Sequence, residues 1–194
     1  MPVIGLDLAG VENRPTGLCI LKDMKAETSL VYANEEILKR IEESRPEIVA
    51  IDAPLSLPAG RESIEQRTNV HLRECDKELL RRGIRFFPIT LGPMRKLTIR
   101  GIKLRETLEN ECFSVIEVYP GGAQDILGIP RKQHGLKKLR MGLEKVGIKG
   151  LNDRMSDHEL DAVTCALVGK LFLEGKSVTY GTREQGIVMP RGSP

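Results

Sequence analysis

The sequence contains no tryptophan, and aromatic residues make up only 4 % of it. That scarcity argues against a binding face built on rows of stacked aromatics. Cysteine is sparse too: Cys19, Cys75, Cys112 and Cys165 stand too far apart for a zinc ribbon or a redox CxxC pair. Each lies in or beside an apolar stretch, which reads as buried thiols in a reducing cytoplasm. No apolar run approaches the roughly 18 residues that a membrane-spanning helix needs. The opening Met1-Pro2-Val3-Ile4-Gly5-Leu6-Asp7 lacks the basic and then long apolar layout of a signal peptide. A soluble cytoplasmic protein with no membrane partner is the expectation. Charge of one sign is also in short supply. Thirty Lys and Arg against 27 Asp and Glu leave a net charge of +3, which permits a nucleic-acid partner without demanding one.

What is present suffices for a core. Hydrophobic residues form 40 % of 194, too many for a disordered chain, and the length suits one domain with an insertion. Residues 3–8, 16–21 and 29–33 read as an early strand meander. Asn34 opens a helix with Ile37, Leu38 and Ile41 on one face. Glu47-Ile48-Val49-Ala50-Ile51-Asp52 is nearly all apolar up to its last residue, as in a strand covered on both faces. From about 58 to 111 the chain is rich in charge, and the reading is a helical insertion with helices around 62–83 and 96–111. A strand over 112–119, a short helix at 123–128 and a longer one at about 132–146 follow. Ser156-Asp157-His158-Glu159 has capping-box spacing and opens a helix ending near Gly175. Residues 178–180 and 186–189 suggest a closing hairpin, and 191–194 a frayed end. Alternating strands and helices make this an α/β chain with a mixed sheet over 1–194.

Three carboxylates interrupt apolar strands: Asp7 in the first, Asp52 at the end of another and Glu117 near the end of a third. Ionised carboxylates are rarely buried without a partner, because desolvating a lone charge is costly. Mg²⁺ or Mn²⁺, which take oxygen ligands, would compensate them. Each has a plainer reading as well. Asp52 before Ala53-Pro54 could cap the next loop, and Glu117 alone reads more readily as a salt-bridge partner. Asp157 and Asp161 lie four apart on one helix face. First-turn acids such as Asp157 favour the helix dipole on their own account. Asp161 sits deeper, between Leu160 and Ala162-Val163, where a charge facing the sheet needs compensation. His158 reads as a surface histidine, with proton shuttle or ligand as the less ordinary role. Ala162, Cys165, Ala166 and Gly169 permit close packing of this helix.

These residues, in this order, resemble the RNase H-like superfamily. The likeness rests on Gly5-Leu6-Asp7-Leu8-Ala9-Gly10, on Val49-Ala50-Ile51-Asp52-Ala53-Pro54, and on Asp157-His158-Glu159-Leu160-Asp161-Ala162, which looks like the acidic last helix of RuvC-type resolvases. More closely, the chain is similar to the domain-of-unknown-function family 429, predicted nucleases of this fold. Its features match Ile51-Asp52-Ala53-Pro54, Arg73-Glu74-Cys75-Asp76, Gly83-Ile84-Arg85-Phe86-Phe87-Pro88, Glu117-Val118-Tyr119-Pro120 and the Asp157–Ala162 stretch. Asp52 stands where many nucleases of this fold carry Glu. The resemblance implies a five-stranded mixed sheet flanked by helices, and a cluster of Asp7, Asp52 and Asp161 or Asp157 at one edge with Glu117 nearby. It implies a nuclease in which Asp7 bridges two ions and Asp52 and Asp161 each hold one, while Glu117 or Asp157 completes a shell or orients water. RuvC-like enzymes act as dimers, which implies a homodimer, though no sequence feature fixes an interface.

Phosphate contacts would come from basic stretches: Arg95 to Arg105 holds five basic residues and no acid, and Arg131-Lys132 and Lys137-Lys138-Leu139-Arg140 add more. Their plainer reading is a solvated helix face. Two other functions share the pattern. An actin-like nucleotide-binding or phosphotransfer protein would use Gly5–Gly10 as a phosphate loop, but that loop lacks the usual hydroxyl, and Pro54 has no N–H to donate. A non-catalytic interaction module on the same fold is the other, and acids retained in apolar strands argue against it.

Overall fold

The computed structural model describes residues 1–182 and 184–192. Seven strands form one mixed sheet in the order β3-β2-β1-β4-β5-β7-β6. The first three, β1 (Val3–Asp7), β2 (Thr16–Lys22) and β3 (Lys25–Val31), are the antiparallel meander foreseen from the sequence. After α1 (Asn34–Ser44), β4 (Ile48–Asp52) joins β1 in parallel, and β5 (Val115–Val118) joins β4 in parallel. The count exceeds the expected five because the closing hairpin, β6 (Ser177–Gly181) and β7 (Gly186–Pro190), docks beside β5 and extends the same sheet. No helix among the described residues is long and apolar enough to cross a membrane.

Strand period 2 assigns the two faces. Ile4, Leu6, Leu18, Val49 and Ile51 pack against Ile37 and Ile41 of α1 and Leu104 and Leu108 of α3 (Gly92–Asn110). The intervening positions face the other way. There Val3, Cys19 and Leu21 meet Leu139 and Leu143 of α5 (Leu136–Lys145) and Leu160, Val163 and Ala166 of α6 (Asp157–Leu173). Ala50 and Val118 meet Cys165 and Val168 of the same helix. Cys19, Cys75 and Cys165 are buried free thiols as expected, but Cys112 is exposed.

The charge-rich middle departs from the sequence reading. Only α2 (Glu74–Arg81) is helical within 62–83. Residues 61–70 wrap instead around the buried Arg61 guanidinium, which donates to the carbonyls of Ser63, Ile64, Gln66 and Val70. Four carbonyls that a helix would satisfy with backbone N–H groups are satisfied by one side chain. The expected helix at 132–146 is split: a 3-10 turn at Lys132–His134 ends at Gly135, whose φ of 106° stops it, and α5 begins next. The short helix starts earlier than expected, as α4 (Pro120–Ile126), with Pro at its first position. The frayed end read from the sequence falls partly on Ser193 and Pro194, outside the described residues.

α6 is anchored by its N-cap. Ser156 Oγ accepts from the Glu159 N–H, and Glu159 reaches back to the Ser156 N–H at 2.9 Å, the box its sequence predicts. Its first half lies almost on the sheet. A Cβ at Gly5 would stand 2.1 Å from the Ala162 carbonyl oxygen, and one at Gly17 only 2.0 Å from that of His158. Both contacts are with backbone, so neither can be relieved by a rotamer change. Gly17→Ala is accordingly expected to cost about 1–3 kcal/mol of stability, the range for overpacking a tight site. Urea unfolding followed by circular dichroism checks this, and wild-type stability in the variant would refute the close docking.

Candidate active site

Asp7 ends β1 and Asp52 ends β4, and the two are direct partners in the parallel register. Period 2 turns both toward α6, in line with Gly5 and Ala50. Because Gly17 pairs with Asp7 and admits the α6 backbone, the first two turns of α6 arrive at this point. Asp157, His158 and Asp161 are therefore carried to the carboxyl ends of β1 and β4, where open α/β sheets place their ligand sites.

The contacts are specific. His158 Nδ1 lies 2.7 Å from Asp7 Oδ2. Lys132 Nζ lies 2.9 Å from Asp161 and 3.1 Å from Asp157, bridging the two acids of α6. Gln124 of α4, itself buried, donates to Asp161 Oδ1 at 2.9 Å and to Thr164 Oγ1 at 3.1 Å. None of the hydrogen bonds among the described residues ends on the Asp52 carboxylate, although it is only partly exposed.

Ionisation reflects this crowding. Burial holds the Asp52 carboxyl well above the usual range, and the charges of Asp7 and Asp161 push it further, with Lys132 opposing. Asp161 is raised by burial first and by Asp7, against the pull of Lys132 and Gln124. Burial acts upward on Asp157 too, but the hydrogen bond and charge of Lys132, with His158, outweigh it and leave that carboxyl low. The hydrogen bond to Asp7 raises the His158 imidazole, partly offset by burial and reinforced by the charges of Asp7 and Asp157. Lys132 is desolvated, yet the same acids hold it firmly protonated.

Glu117 does not join this cluster. It pairs with Ile51 in the register, so its side chain leaves the sheet on the other side from that of Asp52, although both border one cavity and the Glu117 charge adds to the rise of Asp52. There, only 5 % exposed, it accepts from Arg73 Nη1 at 2.7 Å and from the Leu55 N–H at 2.7 Å. Arg73 also pairs with Asp76 at 2.9 Å, so one guanidinium neutralises two buried acids. This is the salt-bridge reading of Glu117, with the partner identified.

Four of the five acids singled out in the sequence, Asp7, Asp52, Asp157 and Asp161, are thus brought together. His158, read as a surface residue, is in the cluster. Lys132 and Gln124 were missed as site residues. The sequence marked Lys132 only as part of a basic pair, and its acids lie some 25–29 positions on. The basic stretch of α3 is less free than it reads: Arg100 is buried and donates to Ala9 O, Tyr32 O and Asn34 Oδ1, and Arg95 pairs with Glu65. Lys96 and Lys103 remain exposed.

The donor set suits a hard divalent cation, since Asp7, Asp52 and Asp161 offer only oxygens, and a cation would offset the burial and repulsion that oppose ionisation of Asp52 and Asp161. They do not stand as a closed cage. Among the described residues no group of three or more His, Cys, Asp or Glu is placed to hold a metal as the side chains lie. Lys132 supplies the positive charge in its stead.

The family model described as "Protein of unknown function (DUF429)" matches residues 5–185. Two structures of Thermus thermophilus RuvC share the fold. RuvC in complex with Holliday junction substrate superposes with a TM-score of 0.50 at 15 % identity, over 90 % of this chain and 96 % of that one. A second RuvC structure gives 0.50 at 18 %, over 90 % and 97 %. No curated protein matches the sequence.

Ionisation of Asp52 at neutral pH opposes folding. The unfolded chain ionises it freely, whereas the folded chain must desolvate the charge beside Asp7 and Asp161. Asp52→Asn removes that cost. It is expected to raise Tm by about 2–4 °C at pH 7, the shift roughly 1 kcal/mol produces in a chain of this size. A carboxyl held above its unfolded value costs nothing once both states are protonated, so the gain should vanish as the pH falls below about 4. Calorimetric melts of both proteins across pH 3–8 test the size and the sign.

Proposed function

The chain belongs to the family described as DUF429, whose description carries no activity, and on its site we propose that it is a metal-dependent nuclease hydrolysing phosphodiester bonds in structured or single-stranded nucleic acid. One observation carries the reading: Asp7, Asp52 and Asp161 converge at the carboxyl ends of β1 and β4, where burial and mutual repulsion both oppose their ionisation. An arrangement that opposes folding is kept where it serves function. The RuvC fold, seen in a complex with a Holliday junction, supports the choice of nucleic acid as substrate class.

Asp7, Asp52 and Asp161 would hold Mg²⁺ or Mn²⁺, with Asp157 beside them at the rim. Bound there, such an ion would neutralise phosphate oxygens and lower the pKa of a water molecule. The remaining roles fall to the chain itself. His158, on Asp7, is placed to hold a proton at Nδ1 and to orient that carboxylate. Gln124 fixes one Asp161 oxygen and leaves the other toward Lys132. Lys132 keeps the acids together in the absence of substrate and is positioned to meet a phosphate oxygen when the strand arrives. Arg131 stands beside it, held by Asp125 and by the Tyr119 hydroxyl. Lys96, Lys103, Lys137 and Lys138 are exposed charges able to follow a backbone, and none belongs to a motif that reads bases.

The test is hydrolysis of branched, single-stranded and duplex substrates with Mg²⁺ or Mn²⁺ present. Cleavage of at least one substrate is expected, reduced by about 10³-fold or more in Asp7→Asn, whose fold is retained because a like charge is removed beside Asp52. Metal-independent cleavage, or full activity in Asp7→Asn, would refute the assignment.

A further inference from the structure

A cavity of about 320 Å³ opens directly beside Asp52 and Asp161. Its walls differ in kind from the acidic cluster. Phe86, Phe87, Leu79 and Leu97 form apolar sides, and Tyr119, Arg131 and Lys132 also line it, with Arg131 hydrogen-bonded to the Tyr119 hydroxyl. Phe87 is 69 % exposed, a large apolar ring left in solvent at the mouth of the cavity. An apolar ring in water is unfavourably hydrated, and a flat ligand laid on it would take that surface out of water. Glu117 and Arg73, both buried, belong to the same lining. Both hydrogen bonds to Glu117 end on Oε2, so Oε1 has no donor among the described residues and can accept from a ring N–H or an amino group of a base.

The volume is at the small end for ligand sites, which run from roughly 300 to 1,000 Å³. It suits one heterocyclic ring system with part of its sugar and excludes a base pair. Lys132, in contact with Asp161, and Arg131, in contact with Tyr119, line the same cavity, and the phosphate of that same nucleotide would meet them there. A neighbouring protein segment would not need apolar rings, two cations and the acidic cluster within one cavity.

We infer that this cavity is a subsite for a single unpaired nucleobase, stacked on Phe87, belonging to the nucleotide adjacent to the phosphate at the carboxylates. The position of that phosphate rests on the nuclease reading. The subsite makes the protein selective for strands that present a base outside a helix, because a stacked, paired base cannot enter. Phe87 acts through stacking and the acids through phosphate chemistry, so the two are separable.

Binding of the full chain to fluorescently labelled ten-nucleotide strands, followed by anisotropy in EDTA at low salt, tests the subsite without hydrolysis. Wild type is expected to bind an oligothymidylate about tenfold more tightly than an abasic strand of equal length and charge. It should show no such advantage for a blunt duplex over the abasic strand. Phe87→Ala should abolish the preference and leave affinity for the abasic strand unchanged, and Phe87→Leu should keep only part of it. The comparison of strands on wild type needs no variant. Equal affinity for the two single strands overturns the inference, as does a loss in Phe87→Ala that is the same for both. Base preference without cleavage in Mg²⁺ or Mn²⁺ would leave the subsite standing and remove the nuclease reading. Cleavage indifferent to base content and to Phe87 would do the reverse.

Discussion

The backbone contact between α6 and the β1–β2 pair is what the rest of the structure depends on. Gly5 and Gly17 have no Cβ, and the space a Cβ would fill is taken by the carbonyls of Ala162 and His158. With α6 that close, Asp161 and His158 reach the ends of β1 and β4 while Leu160, Val163 and Ala166 bury the helix in the core. Cap, close approach and core burial all act on the same three turns. The site is built on a helix terminus and two strand ends, rigid elements that hold side chains better than loops do.

Electrostatics sets the second constraint. The cluster would drive itself apart if nothing positive stood within it. Lys132 performs that service from a 3-10 turn outside the sheet, bridging Asp157 and Asp161, while His158 serves Asp7. Asp52 contacts neither and feels only the charge of Lys132 at a distance. A single ammonium is an imperfect counterion for three or four carboxylates, so the cluster keeps an affinity for further positive charge. Arg73, by contrast, pairs directly with both Glu117 and Asp76 at 2.7 and 2.9 Å, so each of these buried acids has a cationic partner in contact. The contrast between Glu117, held by a guanidinium in contact, and Asp52, which accepts no hydrogen bond among the described residues, is what marks the second group of acids.

Much of this was legible in the sequence. Asp7 and Asp52 stand at the ends of apolar strands, and the capping box of Ser156 and Glu159 fixes where α6 begins and hence where Asp161 falls. Tertiary placement was not legible. Glu117 looks like Asp52 in sequence, and only the register with Ile51 turns it to the other face. Lys132 and His158 acquire their roles through contacts across 25 and 151 positions of chain. The segment around 61–70 reads as helix from its charge, yet the Arg61 guanidinium satisfies its carbonyls from within, an arrangement no periodicity announces. The hairpin was visible, but not its pairing with β5, which depends on a parallel neighbour far away in sequence.

The central claim is that the acids form an under-neutralised cation site in which Lys132 holds the place of a metal. Isothermal calorimetry of Mn²⁺ binding, without nucleotide, on wild type and Lys132→Ala addresses it most directly. The account predicts binding by wild type and binding tighter by at least about tenfold in the variant, since a unit positive charge has been removed from beside the ion. No binding by either protein, or weaker binding once Lys132 is gone, would contradict it.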